Sequence, residues 1–231
     1  MSAFFMCLIS PVFHKMVCSD FREHSERKIE LGDQEETVMR RVLDLACGRP
    51  VQARDLADAL ALAAFAHRYQ LTEVVAAVEQ AVLVSLGVEN CAELLIVSAS
   101  ACAVLPRATA AARSLALSQF EQVAKTSGFL GLEEEVLSEL LDDDSLSASE
   151  EAIFEAIVEW TIAGRGPHHV AHGLLHKVRF ALMDPVSLAA IESRCGAVAG
   201  GGREGCFLRT WPPWSDSSWR MRFGCSGSGQ R

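Results

Sequence analysis

Apolar residues recur three and four positions apart over most of the chain, from about residue 34 to 193, and this spacing predicts helix after helix. In residues 34–47 the stripe is Val38, Met39, Val42, Leu45 and Ala46, with Asp33 and Glu36 placed as a capping box and Gly48 as the stop. The next helix puts Leu56, Leu60, Ala63 and His67 on one face, and residues 72–86 do the same with Val74, Val75, Val78, Val82 and Leu86. Cys91, Leu94, Leu95, Ser98 and Cys102 form a further stripe. Pro106 then suits a first helical position, ahead of Ala108, Ala111, Ala112 and Leu115.

The pattern continues through "FLGLEEEVLSELLDDDSLSASEEAIFEAIVEW". Val136, Leu137, Leu140 and Leu141 make a short amphipathic helix that the run Asp142 to Asp144 breaks. Ser147 with Glu150 is placed to cap the next one, whose buried face is Ile153, Phe154, Ile157, Val158 and Thr161. Glu133 to Glu135 reads as a solvated first turn that suits the helix dipole. A strand signal occurs only at "KIEL", Lys28 to Leu31, and around Val51. Beyond Cys195 the periodicity stops. "GAVAGGGREGC" and "SGSGQR" are rich in Gly and Ser, and Trp211, Trp214 and Trp219 stand isolated, which predicts a disordered tail.

Composition narrows what such a chain can do. With 231 residues, half of them apolar, it can bury a core without disulfides. A formal charge of −9 with no local run of Lys and Arg argues against a general nucleic-acid or membrane-surface binder. The eight cysteines contain no C-x-x-C pair and mostly fall among apolar residues, as small buried thiols do in a reducing, cytoplasmic or nuclear, compartment. The start, "MSAFFMCLIS", lacks the positive region and cleavage pattern of a targeting peptide. No run reaches the roughly 18 apolar residues of a spanning helix.

The candidate chemistry is sparse. His168, His172 and His176 are spaced to share a helix face, but no carboxylate or thiolate joins them, so no metal is assigned. The sequence contains no G-x-S-x-G, no H-E-x-x-H and no glycine loop between a strand and a helix; "GGGREG" at 200–205 has neither neighbour. Nothing near Cys206 and Cys225 would depress a thiol pKa. The expectation is a non-enzymatic protein without a cofactor. One local oddity remains: in "SDFREHSERKIEL", residues 19–31, Phe21 stands alone among charges, two positions before Glu23. Such an aromatic is either a buried anchor or a displayed one.

Four stretches carry a resemblance. "ISPVFHKMVCSDFREHSERKIEL" resembles part of the opening segment of BTB (POZ) domains, with a Ser-Pro start, an aromatic three positions after that Ser, a loop and an "IEL" strand. "LTEVVAAVEQAVLVSL" looks like the last BTB helix. "VENCAELLIVSASACAVLPRATAAARSLALSQFEQVAKTSGFLGLEEEVLSELL" resembles the start of a BACK domain, and "HKVRFALMDPVSL" is close to the segment that closes BACK domains in kelch-like proteins. The order and spacing hold over roughly residues 8 to 192.

The resemblance implies a mainly α fold: a helical BTB remnant with one or two short strands, an α-helical BACK bundle and a disordered tail. The corresponding boundaries are 1–87, 88–193 and 194–231. In the family two strands and most of a helix precede the Ser-Pro, whereas "MSAFFMCLI" precedes Ser10 here, so the resemblance implies an N-terminally truncated BTB domain. The family's frequent Tyr-Thr-Gly stands as "ACGR", residues 46–49, and no kelch repeats follow Leu188.

By the same resemblance the chain is a binding module, dimerising with itself or a relative through BTB and docking the scaffold cullin-3 as an adaptor of a ubiquitin ligase. The family's hydrophobic-x-Glu motif falls on Phe21, Arg22 and Glu23. An exposed aromatic supplies an apolar anchor, and a carboxylate adds charge-assisted hydrogen bonding. Leu94, Leu95 and Leu105 are candidates for the groove between the first BACK helices that receives an N-terminal extension of the cullin; their alternative role is to fill the core. The rival function is a BTB–BACK oligomerisation scaffold or regulator with no ligase link.

Overall fold

The computed structural model describes residues 3–19, 33–50, 53–100, 104–163 and 173–197. "KIEL", Val51, Phe21, Glu23, His168, His172 and residues 198–231 of the tail lie outside them. Among the described residues the regular structure is all helical, with no strand, in agreement with the mainly α expectation. In chain order the α-helices are α1 (Ala3–Ile9), α2 (Pro11–Cys18), α3 (Asp33–Ala46), α4 (Leu56–Arg68), α5 (Thr72–Ser85) and α6 (Val88–Ser100). They continue with α7 (Pro106–Ser118), α8 (Phe120–Val123), α9 (Glu134–Leu141), α10 (Glu150–Ile162) and α11 (Pro185–Ala197). Short 3₁₀ turns cover Phe129–Gly131 and Phe180–Leu182. The chain divides into two compact units, Met1–Ala116 and Leu117–Arg231.

In the first unit α4 and α5 pack as an antiparallel pair with α3 laid against both. The stop after α3 is the one that glycine dictates. Gly48 adopts φ +82°, its N–H donates to the Leu45 carbonyl at 2.9 Å, and Arg49 N–H reaches the Asp44 carbonyl at 3.0 Å, a Schellman closure. α4 ends in the same way without a glycine. Gln70 takes φ 54° while Gln70 N–H donates to His67 O at 3.0 Å and Leu71 N–H to Ala66 O at 2.8 Å. The buried Leu71 side chain supplies the apolar contact of that motif.

The buried face of α4 is Ala59, Leu62, Ala63, Phe65 and Ala66, whereas His67 is exposed and Leu56 and Leu60 are only half-buried. This corrects the predicted stripe. α4 is Ala-rich and apolar nearly all round, so two faces satisfy the helical period and the packing partners decide between them. In α5 the predicted Val74, Val78 and Val82 are buried, and so is Glu79.

In the second unit Trp160 is fully buried on α10 and its Nε1–H donates to the Leu132 carbonyl at 2.9 Å, tying α10 to the segment after the 3₁₀ turn. Phe120 meets Phe129 edge-on, with centroids 5.7 Å apart. α9 ends at Leu141 where Asp142 begins, and Glu133 to Glu135 are exposed, both as the sequence predicts. The cap of α10 is not the predicted one. Ser149 Oγ accepts from Ala152 N–H, and Glu121 in turn accepts from Ser149 N–H at 3.1 Å and Oγ–H at 3.0 Å. Those bonds hold the Glu121 carboxyl below its ordinary pKa. Glu150 does not reach back to Ser147; it is buried and accepts from Arg179 N–H at 2.9 Å and Nε–H at 2.7 Å. Ser147 N–H instead donates to Leu117 O at 2.9 Å.

Candidate partner-binding site

The motif residues that open the site are structural. Ser10 is the N-cap of α2: its Oγ accepts from Phe13 N–H at 3.1 Å and its hydroxyl donates to the Tyr69 carbonyl at 2.6 Å. Pro11 follows at the first helical position, where its missing N–H costs nothing. Phe13, the aromatic three residues after Ser10, is fully buried and stacks on Tyr69 with centroids 4.6 Å apart and planes 10° from parallel. Tyr69 also meets Phe65 at 4.6 Å. One turn of "SPVF" therefore fixes α2 on the end of α4, and α2 leads in sequence to Phe21 and Glu23, which lie outside the described residues.

The three leucines are not brought together at a surface. Leu94, Leu95 and Leu105 are all buried, at 1, 6 and 2 % exposure. Leu94 alone lines a groove of about 340 Å³ in the first unit, formed by the start of α4, the end of α5 and α6, with Leu56, Ala59, Val82 and Leu86 along its walls. Leu95 and Leu105 are buried and do not line it. Asn90 Nδ2–H donates to Ser85 O at 2.9 Å and its Oδ1 accepts from Gly87 N–H at 2.8 Å, which fixes the α5–α6 turn at the rim. Cys91 is buried below, and that burial raises its pKa.

Two carboxylates that the periodicity did not single out hold this region. Glu79 accepts from the Arg107 N–H at 2.7 Å and the Ala108 N–H at 3.3 Å, so a side chain of α5 caps the first turn of α7. Asp58 accepts from Arg41 Nη1–H at 2.5 Å, Arg41 Nη2–H at 2.9 Å and Arg54 N–H at 2.9 Å. The Arg41 guanidinium, then the Arg54 amide, lower the Asp58 pKa to about 2. The sequence signal for Glu79 was a single charged residue inside the Val stripe of α5. Nothing local identified its partners, 28 and 29 positions away.

The arrangement offers shape and apolar surface with satisfied polar groups, which suits binding. Among the described residues no group of three or more His, Cys, Asp or Glu could hold a metal ion, and His176 is exposed. Among them, too, no helix is long and apolar enough to cross a membrane.

Known families and proteins share this pattern. The BTB/POZ domain family matches residues 2–86, and the family described as BACK, BTB And C-terminal Kelch, matches residues 91–192. Kelch-like protein 38 of Mus musculus is 27% identical over 227 residues, covering 92% of this chain and 38% of that protein. Kelch-like protein 38 of Danio rerio is 31% identical over 186 residues, 78% of this chain and 30% of its own length. Kelch-like protein 41 of Homo sapiens is 25% identical over 154 residues, 65% of this chain and 25% of its own. The chain thus spans less than two fifths of the length of these curated relatives.

Proposed function

Because the chain belongs to the BTB–BACK proteins of kelch-like type, a family of protein-interaction adaptors, we propose that it docks a cullin-3-type scaffold and acts in protein ubiquitination by recruitment, without chemistry of its own. The observation that carries this reading is the succession of a BTB/POZ match and a BACK match along one chain, with a kelch-like relative aligned over 92% of it. In this reading residues 1–87 act as the BTB part, which also mediates pairing with a second BTB chain, 88–193 act as the BACK part, and 194–231 form a tail outside both.

Phe21 and Glu23 are the docking pair. Phe21 is the apolar anchor, and Glu23 the directional charge beside it. Support comes from their position directly after α2, a helix that Ser10, Pro11 and Phe13 pin to the first unit. Leu94 contributes through the groove it lines, while Leu95 and Leu105, both buried, take part only through the packing of the BACK part.

The test is a pulldown with cullin-3 that compares the parent chain with the Phe21→Ala, Glu23→Ala double variant. Capture of the parent and loss of capture in the variant supports the reading. Equal capture of both sinks the motif assignment, and capture of neither, with self-association intact, supports the scaffold without a ligase link.

A further inference from the structure

The start of α11 presents apolar side chains to solvent. Leu182, at the end of the second 3₁₀ turn, is 67% exposed, and Val186 in the first turn of α11 is 76% exposed. Pro185, Ala189 and Ala190 are exposed as well, and their spacing puts them with Val186 on one side of the helix, away from the buried Ile191. Asp184 caps this end. Its carboxylate accepts from Val186 N–H at 3.0 Å, and its own N–H donates to the Glu151 carboxylate at 2.9 Å. An apolar helix face bordered by two carboxylates is a docking surface for a segment that is both apolar and basic.

The chain that leaves α11 supplies such a segment. Residues 117–197 carry 14 Asp and Glu against 5 Lys and Arg, whereas residues 198–231 carry 2 against 5, so an acidic unit is joined to a basic tail. Within that tail the large apolar residues begin with "FLRTWPPW", residues 207–214, which include Arg209. The nine residues before it, "VAGGGREGC", are rich in glycine, and a chain of that composition and length spans about 15–18 Å root-mean-square. Val186 lies eleven residues back from Ala197, about 17 Å along the helix. We propose that residues 207–214 of this same chain fold back onto the exposed face of α11, with Phe207, Trp211 and Trp214 covering Leu182 and Val186. Arg209 then faces the Asp184 and Glu151 carboxylates. Because the docking is intramolecular, an effective concentration in the millimolar range populates even a weak contact. The bound tail keeps this apolar face from associating with other chains.

For the test, p-benzoylphenylalanine replaces Trp214 in the whole chain, an equal mixture of ¹⁵N-labelled and unlabelled protein is irradiated, and tryptic peptides are mapped by mass spectrometry. The expected product joins peptide 210–220 to peptide 180–194, both halves carrying the same isotope. Adding Leu182→Glu with Val186→Glu, two exposed positions, is expected to lower its yield at least about fivefold. Mapping of the chain with Leu182 and Val186 intact decides the matter even if that double variant does not fold. Products that join labelled to unlabelled peptides assign the face to a second copy and overturn the proposal. It is overturned equally if peptide 180–194 carries no crosslink, or if a folded double variant gives an unchanged yield.

Discussion

Replacing Glu79 by Ala removes a carboxylate that lies in α5 yet caps α7. Its side chain is 8% exposed and accepts the N–H groups of Arg107 at 2.7 Å and Ala108 at 3.3 Å, while Arg107 Nη1 stands 4.0 Å from the other oxygen. Pro106 has no N–H, so these are the first amides that the turn must place. Losing a helix cap typically costs about 1 kcal/mol, and a hydrogen bond to a charged group contributes about 1.5–3 kcal/mol. The guanidinium is mostly solvated and adds little. An expected loss of about 2 kcal/mol follows, since water can reach the vacated amides only in part.

Glu79→Gln keeps an acceptor and gives up the charge–dipole part, so it should cost about 0.5–1 kcal/mol. Urea unfolding followed by helical circular dichroism reads both variants against the parent. The reasoning is refuted if Glu79→Ala unfolds within about 0.5 kcal/mol of the parent, or if Gln is as costly as Ala, a difference well below any cap loss.

Other sites give independent checks. Trp160→Phe strands the Leu132 carbonyl and opens space around a fully buried ring, so a loss of about 2–3 kcal/mol is expected in thermal or urea unfolding. Gln70→Gly relieves a left-handed residue at the end of α4 and should stabilise the chain by about 0.5–1 kcal/mol, read as a higher urea midpoint. Asp58 has a folded pKa lowered to about 2 from 3.8, so its contribution is present above pH 4 and is lost as pH falls through 2. Allowing for partial exposure, Asp58→Asn should cost about 1–2 kcal/mol at pH 7, and the gap from the parent should close between pH 4 and 2.

Much of the helical fold was legible because apolar period and punctuation act locally. Pro106 opens α7, Gly48 closes α3 with a positive φ, and Asp142 ends α9, each within one turn of where the sequence places it. Ser10, Pro11 and Phe13 were recognisable as a motif, and the structure gives them a physical meaning as cap, first turn and core anchor. Local pattern failed where the deciding partner is distant. Glu150 looked like half of a capping box, yet Arg179 takes it, 29 residues on. In α4, apolar residues on nearly every side left the choice of face to its packing partners. Glu79 shows the same limit, because no period in α5 points to the amides of α7. Of the candidate site, the leucines were found as a group, but their separation into one that lines the groove and two that do not depends on tertiary packing.

The central claim is docking of a cullin-3-type scaffold through Phe21 and Glu23, and equilibrium binding of the purified chain to purified cullin-3 by biolayer interferometry tests it most directly. The account predicts saturable binding by the parent and, for Phe21→Ala with Glu23→Ala, a loss of at least about thirtyfold, the size expected when an anchor worth about 2 kcal/mol is removed. Indistinguishable affinities for the parent and a folded double variant would contradict it.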